Sequence, residues 1–120
     1  ARLLPTVEKT VDLQLEESTY AQVLKIIDRE YATIGLAELA QRLNFNKNYL
    51  SNLVKTESGQ TFTQLVNQRK LMKAQLLLKT TQLPIQEIAL SVGFSNKTYF
   101  YEKYKETFGH GPKVERNFKS

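Results

Sequence analysis

At 120 residues with 41% apolar content, the chain is long enough for one compact unit with a core and too short for two independent domains. It holds no cysteine and a single histidine, His110, which excludes disulfide stapling, thiolate metal sites and a histidine-based metal cluster. Seventeen Lys and Arg against twelve Asp and Glu give a net charge of +5 and a pI near 9.5, a balance that favours polyanionic partners.

The charge is unevenly placed. Residues 1–31 carry four bases and six acids, whereas residues 32–120 carry thirteen and six, so the basic character belongs to the body of the chain. No apolar run reaches the ~18 residues of a membrane-spanning helix, and no basic-then-apolar signal segment opens the sequence, so a soluble, cytoplasmic protein with no membrane partner is expected. Ala1 in place of an initiator Met points to a fragment or a processed chain.

Residues 1–17 read as a linker or terminal segment, although Val11, Leu13 and Leu15 alternate as a short strand would. Ser18 or Thr19 then caps a helix whose apolar positions Tyr20, Val23, Ile27 and Tyr31 follow helical spacing, and which should pack on the unit that follows. That unit is the first of two copies. Leu36-Ala-Glu-Leu-Ala-Gln-Arg-Leu-Asn-Phe45 matches Ile85-Gln-Glu-Ile-Ala-Leu-Ser-Val-Gly-Phe94, and after one extra residue near Ser95 the match resumes. Asn46, Lys47, Tyr49, Leu50, Lys55 and Gly59 then overlie Asn96, Lys97, Tyr99, Phe100, Lys105 and Gly109.

Each copy has the pattern of two short helices crossing sharply. In the first, Leu36, Leu39, Ala40 and Leu43 mark one face, with Ala40 small where another helix must approach. Asn44 and Gly93 stand just past the two first helices, and both residue types tolerate the left-handed conformation of a C-terminal cap. Phe45 and Phe94 anchor the turn, and Asn46 in one copy and Ser95 or Asn96 in the other can accept hydrogen bonds from the next helix's amides. The second helices are expected to bury Tyr49, Leu50, Leu53 and Val54 in one copy, and Tyr99, Phe100 and Tyr104 in the other.

Between the copies, residues 60 to about 79 contain no Pro or Gly and predict one long helix. Phe62, Leu65, Val66, Met72, Leu76 and Leu77 form one apolar strip and Leu71, Ala74 and Leu78 a second, as expected of a connector buried on more than one side. Thr80, Thr81 and Gln82 read as a turn, Pro84 as a first-turn residue of the next helix, and Gly111-Pro112 as the start of a short final helix through about Asn117. The expected fold is all-α, with two helix-turn-helix subdomains (36–57 and 84–108) joined by a long connecting helix (60–80), about seven helices in a domain spanning 18–120.

A polar face remains near the start of each second helix. In the first copy it comprises Asn46, Lys47, Asn48, Ser51, Asn52 and Lys55; in the second, Asn96, Lys97, Thr98, Tyr101, Glu102 and Lys105. These groups can bond base edges and phosphates, and helix N-terminal amides favour phosphate oxygens too. An ordinary solvated surface would look similar, but two copies in register are hard to obtain by chance. Nothing recommends an enzyme or a cofactor: the acids are scattered and no glycine-rich phosphate loop occurs. Arg69 is expected to serve structure by ion pairing or carbonyl bonding between subdomains, the aromatic residues Tyr99, Phe100, Tyr104 and Phe108 to form core, and His110 to matter little.

Leu39-Ala40, Tyr49-Leu50-Ser51, Gly59, Arg69, Ala74, Leu77-Leu78, Val92-Gly93-Phe94, Gly109, Pro112 and Arg116, and above all the stretch IQEIALSVGFSNKTYF over residues 85–100, resemble the DNA-binding domain of the AraC/XylS family of bacterial transcription regulators. The resemblance runs from Ser18 to Phe118. It implies about seven helices, with the second helix of each unit entering one of two successive major grooves of operator or promoter DNA. It also implies that the domain is often the C-terminal part of a longer regulator whose other part senses an effector or dimerises, with RNA polymerase a further candidate partner. Its base-reading positions fall on Asn48, Ser51 and Asn52, and on Lys97, Thr98, Tyr101 and Glu102. Asn52 and Glu102 stand where the family often has basic residues. Glu102 either reads a cytosine amino group or pairs with Lys105 or Arg116. The rival function is a helical protein-interaction module whose basic face serves solubility alone.

Overall fold

In the computed structural model residues 17–117 are described; the alternating Val11, Leu13 and Leu15, the rest of the expected linker up to Glu16, and Phe118 lie outside the described residues. Seven helices follow one another: α1 (Thr19–Glu30), α2 (Leu36–Leu43), α3 (Lys47–Ser58), α4 (Phe62–Thr80), α5 (Ile85–Ser91), α6 (Lys97–Phe108) and α7 (Pro112–Asn117). Their ends are set by local chemistry. Ser18, not Thr19, caps α1 by accepting from the Ala21 amide at 3.0 Å. Thr61 and Gln64 cap α4 reciprocally, which starts the connector at Phe62. Pro84 stands one residue outside α5, because its extended ψ of 143° places it at the N-cap.

The helices enclose two cores. Val23, Ile26, Ile27, Leu39, Ala40, Leu50 and Val54 form the first with Phe62, Leu65 and Val66 of α4; Ile88, Ala89, Val92, Phe94, Phe100 and Tyr104 form the second with Leu71, Ala74 and Leu78. At about 100° per residue, the two sets on α4 lie on nearly opposite sides of that helix. The connector therefore changes its buried face midway, which is how one helix can belong to both units. Met72 and Leu76 continue the first strip past the end of the first unit and are exposed, contrary to their expected burial.

Direct contacts between the units are polar as well as apolar. Lys70 of α4 donates to the Gly93 carbonyl at 3.1 Å and lies 5.2 Å from the Phe94 ring centre, while Asn67 donates to the Tyr99 hydroxyl at 2.9 Å. Half-burial pushes the Lys70 ammonium below the usual lysine range. Gly93 packs on the α1–α2 link, where a Cβ would lie 2.5 Å from the Ala32 carbonyl oxygen. Arg69, expected to pair between subdomains, instead bonds Asp28 of α1 at 2.6 Å and so braces the first unit alone. Arg42 braces it again, holding both Glu30 oxygens at 2.7 Å and Glu38 at 2.6 Å.

Lys70 and Ala32 also break the symmetry of the repeat. Lys70 lies over the Phe94 ring, which is 4% exposed, and Ala32 packs on the adjacent Gly93, whereas the counterpart Phe45 is 40% exposed and stacks on Tyr49 with ring centres 5.1 Å apart. Tyr49 and Tyr99, expected in the core, are both exposed in part, Tyr49 beside Phe45 and Tyr99 between Phe94 and Asn67. Phe94→Ala should therefore cost about 3–5 kcal/mol, the usual loss for a buried aromatic ring, and Phe45→Ala less than half as much. Paired denaturant titrations check this, and equal losses would contradict the asymmetry.

Candidate nucleic-acid interface

The same hydrogen bond aims both second helices. The Phe45 amide donates to Ala40 and the Phe94 amide to Ala89, each at 2.9 Å, so the chain reverses identically after α2 and α5. This reversal needs a residue with positive φ just before the phenylalanine. Asn44 (φ 65°) and Gly93 (φ 108°) supply it, as their side chains allow. Asn46 then caps α3, its Oδ1 accepting from the Asn48 and Tyr49 amides at 2.7 and 3.2 Å. In the second copy Asn96, not Ser95, is the cap, and it reaches only the Tyr99 amide at 2.9 Å. Gly59 and Gly109 close α3 and α6 with φ of 77° and 83°, donating to the Lys55 and Lys105 carbonyls.

Asn48, Ser51, Asn52 and Lys55 share one face of α3 by their spacing, and Thr98, Tyr101, Glu102 and Lys105 the same face of α6. Leu50 and Val54, and likewise Phe100 and Tyr104, are turned into the cores. All twelve sequence-predicted site residues reach the surface; ten are exposed, and Ser51 and Tyr101, half-buried, occupy equivalent positions of the repeat. The Oδ1 atoms of Asn46 and Asn96 are engaged in capping, with two amides and one respectively, so these two residues position the faces; Asn46 has its NH2 group to offer outward, and Asn96 its NH2 group and one oxygen lone pair.

Both faces carry lysines that no carboxylate of the described residues pairs with. Among the described residues, Lys47, Lys55, Lys97 and Lys105 form no salt bridge, whereas the arginines Arg42 and Arg69 on other faces are paired. Lys97 lies 5.8 Å from the Tyr101 ring centre, a cation–π approach that holds its charge over the start of α6. Glu102 is exposed and makes no bond to Lys105 or Arg116. The Arg116 guanidinium is turned the other way, toward the Leu78 and Thr81 carbonyls at the end of α4. The carboxylate thus stays on the polar face.

Sequence reasoning missed three residues. Lys70 joins the units, Lys113 of α7 lines a cleft with Lys97, Thr98 and Tyr101, and Glu115 is a buried carboxylate. His110, given little weight, bonds Glu115 at 2.9 Å. No local pattern marks these positions, since each meets its partner only when distant segments come together. Among the described residues no helix is long and apolar enough to cross a membrane.

Comparison with known proteins gives the same picture. The C-terminal domain of the two-component response regulator yesN from Fusobacterium nucleatum is 34% identical, with a TM-score of 0.74 over 82% of this chain and 99% of that one. The DNA-binding domain of AdpA, solved in complex with a target DNA, shares the fold at 19% identity, with a TM-score of 0.71 over 79% of this chain and 86% of that one. The Msm operon regulatory protein of Streptococcus mutans is 32% identical over 92 residues, 76% of this chain and 33% of that protein. The chain spans about a third or less of the length of the first curated relatives it matches. The family model described as a helix-turn-helix domain matches residues 39–117, from the middle of α2 to the end of α7. On this match and those relatives, the chain belongs to the AraC/XylS family of transcription regulators, as a helix-turn-helix DNA-binding domain.

Proposed function

We propose that this domain, comprising residues 18–120, binds double-stranded DNA sequence-specifically in the bacterial cytoplasm to regulate transcription, acting by binding rather than catalysis. The observation that carries this reading is the pair of exposed, in-register polar faces on α3 and α6, each aimed by the same turn and both held on α4. The helices enter two successive major grooves, about one duplex turn or ~34 Å apart. The AdpA domain solved on its target DNA supports the assignment through its shared fold. The short span of this chain relative to the Msm protein supports an attached sensory or dimerisation region.

The two faces read different bases. Asn48, Ser51 and Asn52 offer neutral donors and acceptors, while Lys97, Thr98, Tyr101 and Glu102 offer a cation, hydroxyls and a carboxylate able to accept from a cytosine amino group. Because α4 is buried in both units, the spacing of α3 and α6 is fixed, and a duplex whose grooves do not match it either bends or engages one helix weakly. Footprinting of a duplex selected from random sequences should show two protected grooves and a bend. A single protected groove on straight DNA would overturn simultaneous reading.

Side-chain removal separates positioning from reading. Lys47→Ala and Lys55→Ala should weaken binding to all duplexes alike and reduce the salt dependence by about one unit of slope each. Asn48→Ala should instead change preference at a particular base pair, by about 1–3 kcal/mol. Titrations against the selected duplex and single-base variants, at two salt concentrations, distinguish the two effects.

A further inference from the structure

The geometry points to a phosphate clamp in the second unit: Lys113, at the start of α7, and Lys97, at the start of α6, together grip one DNA backbone phosphate at the edge of the groove that α6 enters. The inference rests on the DNA-binding reading above and adds a residue outside both recognition helices.

An open cleft of about 560 Å³ separates the beginnings of α6 and α7, lined by Lys97, Thr98, Tyr101 and Lys113. Its walls present two ammonium groups, an aliphatic hydroxyl and a phenol, and no carboxylate. Neither lysine forms a salt bridge among the described residues. The Asn96 cap accepts from the Tyr99 amide alone, so the Thr98 amide, unlike its counterpart at Asn48, keeps its N–H for a ligand. Two cations and a backbone N–H, with no carboxylate among the lining residues, suit a singly charged phosphodiester, and the cleft is open enough to admit a segment of DNA backbone.

Lys113 is held there by its neighbours. Pro112 is fully buried, and Glu115, two residues on, turns its carboxylate inward to Tyr104, Gln75 and His110 at 2.8 to 2.9 Å. That inward turn removes the one acid of α7 from the cleft and fixes the helix against α6, so Lys113 meets a phosphate without reordering the backbone. The first unit has no equivalent, because α4 starts three residues after Gly59 as α7 does after Gly109, and the uncharged Thr63 stands where Lys113 does. The clamp thus adds a sequence-independent grip to the half of the protein that carries Glu102.

The test uses the whole chain and its selected duplex. Lys113→Ala should weaken binding about tenfold and lower the slope of log K against log salt by about 0.9, with base preference unchanged. Lys113→Arg should restore both, and Lys73→Ala, an exposed lysine on α4, should change neither. Neutral methylphosphonates placed singly along the backbone beside the second groove should locate the contact: one substitution weakens the native protein clearly more than it weakens Lys113→Ala, which keeps only Lys97 at that phosphate. If the native chain binds the duplex and Lys113→Ala leaves the slope unchanged, or no methylphosphonate position separates the two proteins, the clamp is overturned while the function stands. If the native chain binds no duplex, both fall.

Discussion

Gly93→Ala should be among the most damaging single-methyl additions in this protein, lowering stability by about 2–5 kcal/mol, the sum of a left-handed backbone penalty and an overpacked contact. Gly93 has a φ of 108°, and an added Cβ would lie 2.5 Å from the Ala32 carbonyl oxygen and 2.9 Å from its Cα. Those atoms are backbone, in the link between α1 and α2, and cannot rotate away. Gly59 makes the contrast, having a φ of 77° with nothing within 4 Å of the added atom. Gly59→Ala should lose about 1 kcal/mol, the conformational term alone. Thermal or urea unfolding of the two variants measures the difference. Similar losses would show that Gly93 answers only to its dihedral angle and not to the packing of one unit on the other. Any Gly93→Ala protein that folds should also bind the two-groove duplex less well, because relieving the clash moves α6 relative to α3.

Glu115→Ala should cost about 3–5 kcal/mol, the range seen when one partner of a buried charged network is removed. The carboxylate is 2% exposed and accepts from Gln75, Tyr104 and His110, with the Lys79 ammonium 3.6 Å away. Burial by itself would raise its pKa; the three hydrogen bonds and the Lys79 charge outweigh burial and hold it at about 2, below the ordinary 4.5. Burial and the adjacent carboxylate push the Tyr104 hydroxyl upward, so it remains a donor. A carboxyl whose folded pKa is depressed contributes stability that is present above the unfolded value and is lost as pH falls toward the folded one. Stability should therefore decline between about pH 5 and pH 2, with α7 released first. Glu115→Gln, which keeps the shape but not the charge, should be less stable near pH 7 and show a flatter acid limb. Denaturation midpoints across that range test the sign, and an unchanged acid limb in Glu115→Gln would refute it.

The architecture was largely legible in the amino-acid order because its signals are local. Helical spacing marked the helices, the Asn44 and Gly93 positions marked the reversals, and Asn46, with Ser95 or Asn96 in the second copy, marked the starts of α3 and α6 to within a residue. Each of these rests on hydrogen bonds or steric limits within about five residues, the reach of a helical turn and its cap. The polar faces were legible for the same reason, since a residue's angular position on a short helix follows from its number. The errors have a common origin. Tyr49, Tyr99, Met72 and Leu76 carry apolar surface at core spacing, yet they sit where a unit ends, and periodicity does not tell where a helix runs out of neighbours.

Taken alone, the sequence determined two copies of one helix-turn-helix frame, a connector with apolar strips on two sides, and reading faces of different chemistry. Tertiary structure decided how the copies are held and how they differ. It covered Phe94 with Lys70 and set Gly93 on Ala32 while leaving Phe45 open, buried Glu115 at the meeting of α4, α6 and α7, and brought Lys113 across a cleft from Lys97. These outcomes depend on contacts between residues up to about sixty positions apart. Such contacts follow from the fixed placement of one unit on the other through α4, which no window of a few residues encodes.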